Sequence, residues 1–432
     1  MSSSPKSKAP SPRAKADAAS GNPGALPQAI ALRRVFIAFF RLGLSSFGGP
    51  IAHLAYFRTE FVDRRRWLGD AEFAELLALC QFLPGPASSQ LGMAIGMRQA
   101  GFSGALAAWL GFTLPSALLM FALAMGLLHT SFEKSASVLN ALLLVSVAVV
   151  AQALTAMAKS LCPDSLRGWI AVLSCSLCLL MQSSLAQLLA IGIAAFAGSM
   201  LIRPAGEQAK SGLQNPSTWD ANRPGKSFGS SEPLSLFCLV LFFALLLGLP
   251  LLNVYVDDAW IKLIDSFYRA GALVFGGGHV VLPLLQTMLV PESLQLESFL
   301  AAYAAAQAMP GPLFTVAAFL GAVMPDLTPS WLGALMALTS IFLPGFLLVI
   351  GVMPLWSRLI GYPLATSMLA GVNAAVVGFL LASLYDPIFV HAVRKPLHFA
   401  LALLAYALLV LPRLSPLWIV LLGVLAGLLL DL

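Results

Sequence analysis

Gln81-Phe82-Leu83-Pro84-Gly85-Pro86-Ala87-Ser88-Ser89 breaks an apolar run where no water-exposed loop fits, and Gln307-Ala308-Met309-Pro310-Gly311-Pro312-Leu313-Phe314-Thr315 repeats the break near the other end of the chain. Both hold Pro-Gly-Pro with a Gln three residues ahead. Proline lacks an N–H and clashes with the preceding turn, so each Pro-Gly-Pro ends one helix, while proline suits the first turn of the next. The flanks therefore read as half-helices. In a bilayer, broken backbone is tolerated only where protein buries it or a wet cavity receives it, so paired breaks at matching places point to a transport site. Two packing kinks are the plain alternative, since transmembrane helices often carry Pro.

Composition fits that setting. Apolar residues make up 59% of the chain and charged ones only 10%, with a mean hydropathy of +0.87, whereas soluble proteins carry about 25% charged residues. The chain reads as an all-α polytopic membrane protein. Its net charge of +6 comes from tails and loops beside apolar spans, the placement of the positive-inside rule, and excludes nucleic acid as a partner. Cys80, Cys162, Cys175, Cys178 and Cys238 lie in or beside apolar segments. They read as small core residues rather than metal ligands or disulfides.

Residues 1–27 are rich in Ser, Pro, Ala, Gly and Lys and read as a disordered basic tail. Lys6, Lys8, Arg13, Lys15, Arg33 and Arg34 put the N-terminus in the cytoplasm. The first repeat is read over 28–202. It opens with an apolar run broken at Phe47-Gly48-Gly49-Pro50, followed by a loop with Arg58, Arg64, Arg65 and Arg66. The Pro-Gly-Pro pair follows over roughly 73–97, with arms of about 12 residues, too short to cross a 30 Å core. Ordinary spans are expected near 104–127 and 137–158, and two short passes between 168 and 202. Residues 203–232 read as a polar connector and 233–256 as a lone linking helix.

From 257 to 432 the first half begins again. Phe40-Arg41-x-Gly43-x-x-x-Phe47-Gly48-Gly49 is answered by Tyr268-Arg269-x-Gly271-x-x-x-Phe275-Gly276-Gly277 at an offset of 228, which becomes 226 at the Pro-Gly-Pro. Leu114-Pro115 is matched by Leu343-Pro344, and Asn140-Ala141 by Asn373-Ala374. The order and spacing imply an internal duplication with about 12 to 13 membrane segments in total. The second-half loop from Gln286 to Ser298 has no Lys or Arg but carries Glu292 and Glu297. The two repeats are therefore expected to be inverted, although Arg394 and Lys395 argue against it.

Each break is expected to leave backbone N–H groups free at a half-helix start, where the dipole favours an anion. Ser88, Ser89 and Thr315 are candidate hydroxyl ligands beside Pro84, Gly85, Pro86, Pro310, Gly311 and Pro312, or else local caps. Arg41 and Arg269 occupy equivalent intramembrane positions, where a cation is costly unless functional or snorkelling to the interface. Gln81 and Gln307 offer amides before each Pro-Gly-Pro. His53 and His279 are candidate proton relays or structural histidines. Glu72 and Glu75 read as solvated helix-start charges. There is no His-Glu-x-x-His, Gly-x-Ser-x-Gly or Walker loop, and no enzyme, metal or cofactor is expected.

The combination of Phe47-Gly48-Gly49-Pro50 and Leu83-Pro84-Gly85-Pro86 with Phe275-Gly276-Gly277-Gly278 and Met309-Pro310-Gly311-Pro312 resembles the chromate ion transporter family in its long two-domain form. The resemblance spans about 30–430. It implies a carrier of the bacterial inner membrane that exports chromate with the proton motive force and confers chromate resistance. It also carries the family motifs onto Arg41, Gly48, Gly49, Gln81, Arg269, Gly276, Gly277 and Gln307. The residues alone reach an anion carrier, and sulfate has the same shape and charge. A homodimer is left open. A membrane enzyme or scaffold is the rival class.

Overall fold

The computed structural model describes residues 28–47, 49–129, 132–181, 184–202, 232–274, 281–290, 293–325, 327–356, 363–411, 414 and 416–430. The expected basic tail, and all but the last residue of the expected connector, lie outside them. Every regular element among the described residues is helical.

The first half holds α1 (Gln28–Ser45), α2 (Gly49–Arg58) with a π turn over Thr59–Arg64, and α3 (Asp70–Phe82). Next comes α4 (Ala87–His129), which breaks at Ala100 and Gly101 into a short arm and a crossing helix. Then follow α5 (Phe132–Leu161), α6 (Ser165–Met181) and α7 (Ser184–Leu201). The linking helix is α8 (Glu232–Tyr255). The second half repeats the order with α9 (Ala259–Leu273), α10 (Val281–Leu289), α11 (Leu296–Ala308) and a 3₁₀ turn over Leu313–Thr315 leading into α12 (Val316–Val323). It closes with α13 (Ser330–Val352), α14 (Pro363–Ser383), α15 (Val390–Ala392), α16 (Pro396–Val410) and α17 (Pro416–Leu430).

Among the described residues, five helices are long and apolar enough to cross a membrane, and the shorter apolar ones run to 10–17 residues. The 13-residue α3 and α11 extend about 20 Å each at about 1.5 Å per residue, so neither can cross alone. α8 turns Leu236, Phe237, Val240, Phe243, Leu247 and Leu251 outward. An apolar stripe of that length suits hydrocarbon and not water.

The duplication is visible in the packing. A side chain on Gly43 would strike the Phe112 carbonyl, and one on its mate Gly271 would strike the Ile341 carbonyl. Gly96 lies against Gly104 as Gly321 lies against Gly333. Such small residues let helix backbones approach where apolar surface supplies no driving force between helices in lipid. The halves also exchange partners. α5 of the first half packs on α11, α16 and α17 of the second, while its mate α14 packs on α6 and α7 of the first. Gly371 and Gly378 make that exchange possible, the former beside Ala194 and Gly198 and the latter beside Ala171.

Candidate functional site

Each Pro-Gly-Pro docks on the opposite repeat. The Gly85 amide donates to the Val274 carbonyl at 2.6 Å, and the Gly311 amide donates to the Ser46 carbonyl at 2.9 Å. Ser46 and Val274 are mates at the offset of 228, as Gly85 and Gly311 are at 226, so the two bonds are one contact made twice. Gly85 has φ +120° and Gly311 φ +93°, conformations that an L side chain rarely adopts. The two amides expected to face a ligand are thus engaged by protein. The helix starts also differ: α4 begins directly after Pro86, whereas the second break passes through a 3₁₀ turn first.

The surroundings of the two tips are chemically unlike. His53, on α2, sets Nδ1 3.4 Å from the Ser88 hydroxyl and Nε2 3.2 Å from the Ser46 carbonyl. That carbonyl is the one holding Gly311, so His53 joins the first tip to the second. Phe112 lies edge-on to the imidazole at 5.2 Å. Gln90 is 0% exposed and braces the first tip by donating Nε2–H to the Pro84 carbonyl at 2.8 Å. Ser116 donates to the Thr113 carbonyl at 3.2 Å and sits where a Gly311 side chain would be. Pro115 has no N–H, which leaves the Gly111 carbonyl one turn earlier without its helical donor.

Ser46, Ser88, Ser89, Gln90, Thr113 and Ser116 are all buried. The hydroxyls of Ser46, Ser89 and Thr113 and Oε1 of Gln90 have no hydrogen-bond partner among the described residues. Unmatched buried polar groups are costly, and more so at membrane depth. All four lie on the segments that meet at the two tips. The mates of His53, Ser46, Thr113 and Ser116 are Val281, Val274, Phe342 and Gly345. Opposite Ser88-Ser89-Gln90 the second half offers Phe314, Thr315 and Val316, and Thr315 turns its hydroxyl back to the Pro312 carbonyl at 2.8 Å. Around the tips the polar side chains therefore come mainly from the first half.

The remaining sequence candidates are dispersed. Gln81 is exposed while Gln90 is buried. The side chain of Gln307 lies outside the described set, as do Gly48, Gly276, Gly277 and His279. Gly49 opens α2 at φ +76°. Arg41 is exposed on α1. Its mate Arg269 is part-buried and pairs with Asp265 at 2.5 Å. Glu72 pairs with Arg98. Gln90, Ser46, Thr113, Ser116 and Asp265 were not among the sequence candidates. A polar-for-apolar comparison of the two halves singles out all five.

Known proteins place this geometry in a family. The chain matches the chromate transporter family over residues 33–199 and 261–428, once in each half. It is 29% identical over 378 residues to a chromate transport protein of Pseudomonas aeruginosa, covering 86% of this chain and 85% of that one. It is 28% identical over 354 residues to a chromate transport protein of Cupriavidus metallidurans, covering 80% of each. An uncharacterized transporter of Methanocaldococcus jannaschii is 25% identical over 367 residues, covering 84% of each chain. No solved structure matches this chain. With tandem matches embracing both Pro-Gly-Pro tips and both glycine breaks, the chain belongs to the chromate transporter family.

Proposed function

We propose that this protein carries chromate out of the cell across the bacterial inner membrane and so confers chromate resistance. The observation that carries the reading is the buried donor cluster of Ser46, Ser88, Ser89 and Thr113 at the junction of two half-helix tips. A tetrahedral dianion requires donors, which hydroxyls, amides, imidazolium and guanidinium supply. The dianion binds between the tips, near mid-depth, with Ser88 and Ser89 beside it and Arg269 completing its charge balance. The repeats are inverted and the N-terminus is cytoplasmic.

The electrical part of the proton motive force favours export even without a proton. An inside-negative potential of 100 mV is worth about 2.3 kcal/mol per charge moved, so a departing dianion gains about twice that. His53, between Ser46 and Ser88, is the proton relay of this reading. Chromate flux into everted vesicles tests it. We expect uptake that an uncoupler abolishes and that sulfate competes with weakly. Flux of sulfate alone would make the protein a sulfate carrier, and flux of neither would end the oxyanion reading.

A further inference from the structure

Asp265 is a buried carboxylate that the proposed cycle does not use. It is 0% exposed, in the middle of α9. Its Oδ2 accepts from Arg269 at 2.5 Å and from Asn253 of the linking helix α8 at 3.3 Å. Among the described residues its Oδ1 has no hydrogen-bond partner, and neither has Nε of Arg269. A buried carboxylate is tolerated when paired, and removal of its partner leaves an uncompensated charge that a proton can neutralise. The first half has no equivalent: the mate of Asp265 is Ile37, and α8 has no mate at all.

The helix that carries the pair also holds the first tip. Arg269 precedes Gly271, whose carbonyl faces Gly85, and Val274, which accepts the Gly85 amide. Arg269 is 27% exposed at its side chain while Asp265 is fully enclosed, so the guanidinium can turn to a ligand and the carboxylate cannot follow. The other charges on α9 are occupied. Lys262 pairs with Asp257, Asp258 caps the helix by accepting from the Trp260 and Ile261 amides, and Tyr268 donates to the Phe242 carbonyl. Of the helices packed on α9, α10 and α13 carry no titratable residue, and α8 carries Glu232, Cys238 and Tyr255.

We propose that Asp265 is a proton-binding site linked to the anion through Arg269. When the oxyanion engages Arg269, the guanidinium leaves Asp265, and the enclosed carboxylate takes one proton from solvent onto Oδ1. When the anion departs, that proton is released and the ion pair re-forms. No bond within the anion is made or broken, and the net charge moved falls from two negative to one, a direction the membrane potential still favours. The inference rests on the proposed role of Arg269 as an anion ligand.

The test is calorimetric binding of chromate to the purified full-length protein at alkaline pH, where chromate stays a dianion, in buffers of different ionisation enthalpy. Sulfate serves as a second probe. The wild type should take up about one proton per anion bound. Asp265→Asn should bind with no proton uptake, and Asp265→Glu should restore it. Arg269→Gln should weaken binding at least tenfold. Thermal melting without anion identifies variants that fail to fold, and Asp265→Glu keeps the test decisive if Asp265→Asn is one of them, because wild-type-like binding without uptake in Asp265→Glu or in the wild type overturns the proposal. Undiminished uptake in a folded Asp265→Asn also overturns it and leaves the oxyanion reading intact. Absence of any chromate or sulfate binding to the wild type overturns both.

Discussion

The amide of Gly85 donates to the carbonyl of Val274 across the boundary between repeats, at 2.6 Å. A tip held by the opposite half is positioned only while both halves are in place, and the positive φ of Gly85 is what lets its amide reach. An Ala at this position costs about 1–3 kcal/mol in backbone strain, and its Cβ would stand 2.8 Å from Nε2 of Gln90. We expect Gly85→Ala to abolish chromate flux while the protein still reaches the membrane. Gly311→Ala should do the same, since its Cβ would meet the Ser116 hydroxyl at 2.6 Å. Vesicle flux at matched expression checks both, and wild-type rates in either would deny the tips a part in transport.

The unlike polarity of the two halves gives a second expectation. Installing the second-half residue at a first-half position keeps a packing that the fold already uses once, but it removes the polar chemistry. His53→Val and Gln90→Val should each lower flux at least tenfold with a melting temperature near that of the wild type. Ser88→Ala, which removes one contact to His53, should lower it less. If His53→Val and Gln90→Val transport normally, the cluster is structural.

Much of this architecture was legible in residue order. The half-helix arms, the break after Ser45, the spans near α4, α5 and α8, and the two passes of α6 and α7 follow from apolar runs punctuated by Gly and Pro. The duplication followed from matched motifs at a fixed offset. The exchange of α5 and α14 between halves was not legible, because apolar helices carry no address for their partners. Nor was the burial of Gln90 against the exposure of Gln81, since periodicity is lost at a break where one helix stops and another starts with a new rotation. Asp265 stayed hidden for a simpler reason: its mate is Ile37, and a search for repeated residues passes over what only one half possesses.

The exchanged packing predicts how the protein tolerates division. α14 finds its neighbours in α6 and α7, and α5 finds its own in α16 and α17, so neither half can bury its own long helix. A chain cut within 203–231 and expressed as two pieces together should restore chromate flux and co-purify. Either piece alone should be degraded or inactive. A stable first half that transports by itself would contradict the exchange.

The last expectation concerns orientation. The loop after α2 carries Arg58, Arg64, Arg65 and Arg66. Three of them are held by acids: Arg58 by Asp63 and Asp70, and Arg64 and Arg65 by Glu60. Pairing does not cancel their topological effect, because orientation follows the number of Lys and Arg residues and not the net charge. The mated stretch from Gln286 to Ser298, part of which lies outside the described residues, has Glu292 and, in the first turn of α11, Glu297, and no basic residue. A first loop inside and a second outside follow from that contrast. The reciprocal bonds of Gly85 and Gly311 suit such an arrangement, since tips entering from opposite faces each meet the other repeat at mid-depth. In a background with the five native cysteines replaced by Ser, a single Cys at Arg66 should resist a membrane-impermeant thiol reagent in intact cells, and one at Glu297 should react. Disrupted cells should label both. Equal labelling of the two in intact cells would mean parallel repeats, and the tips would then have to meet from the same side.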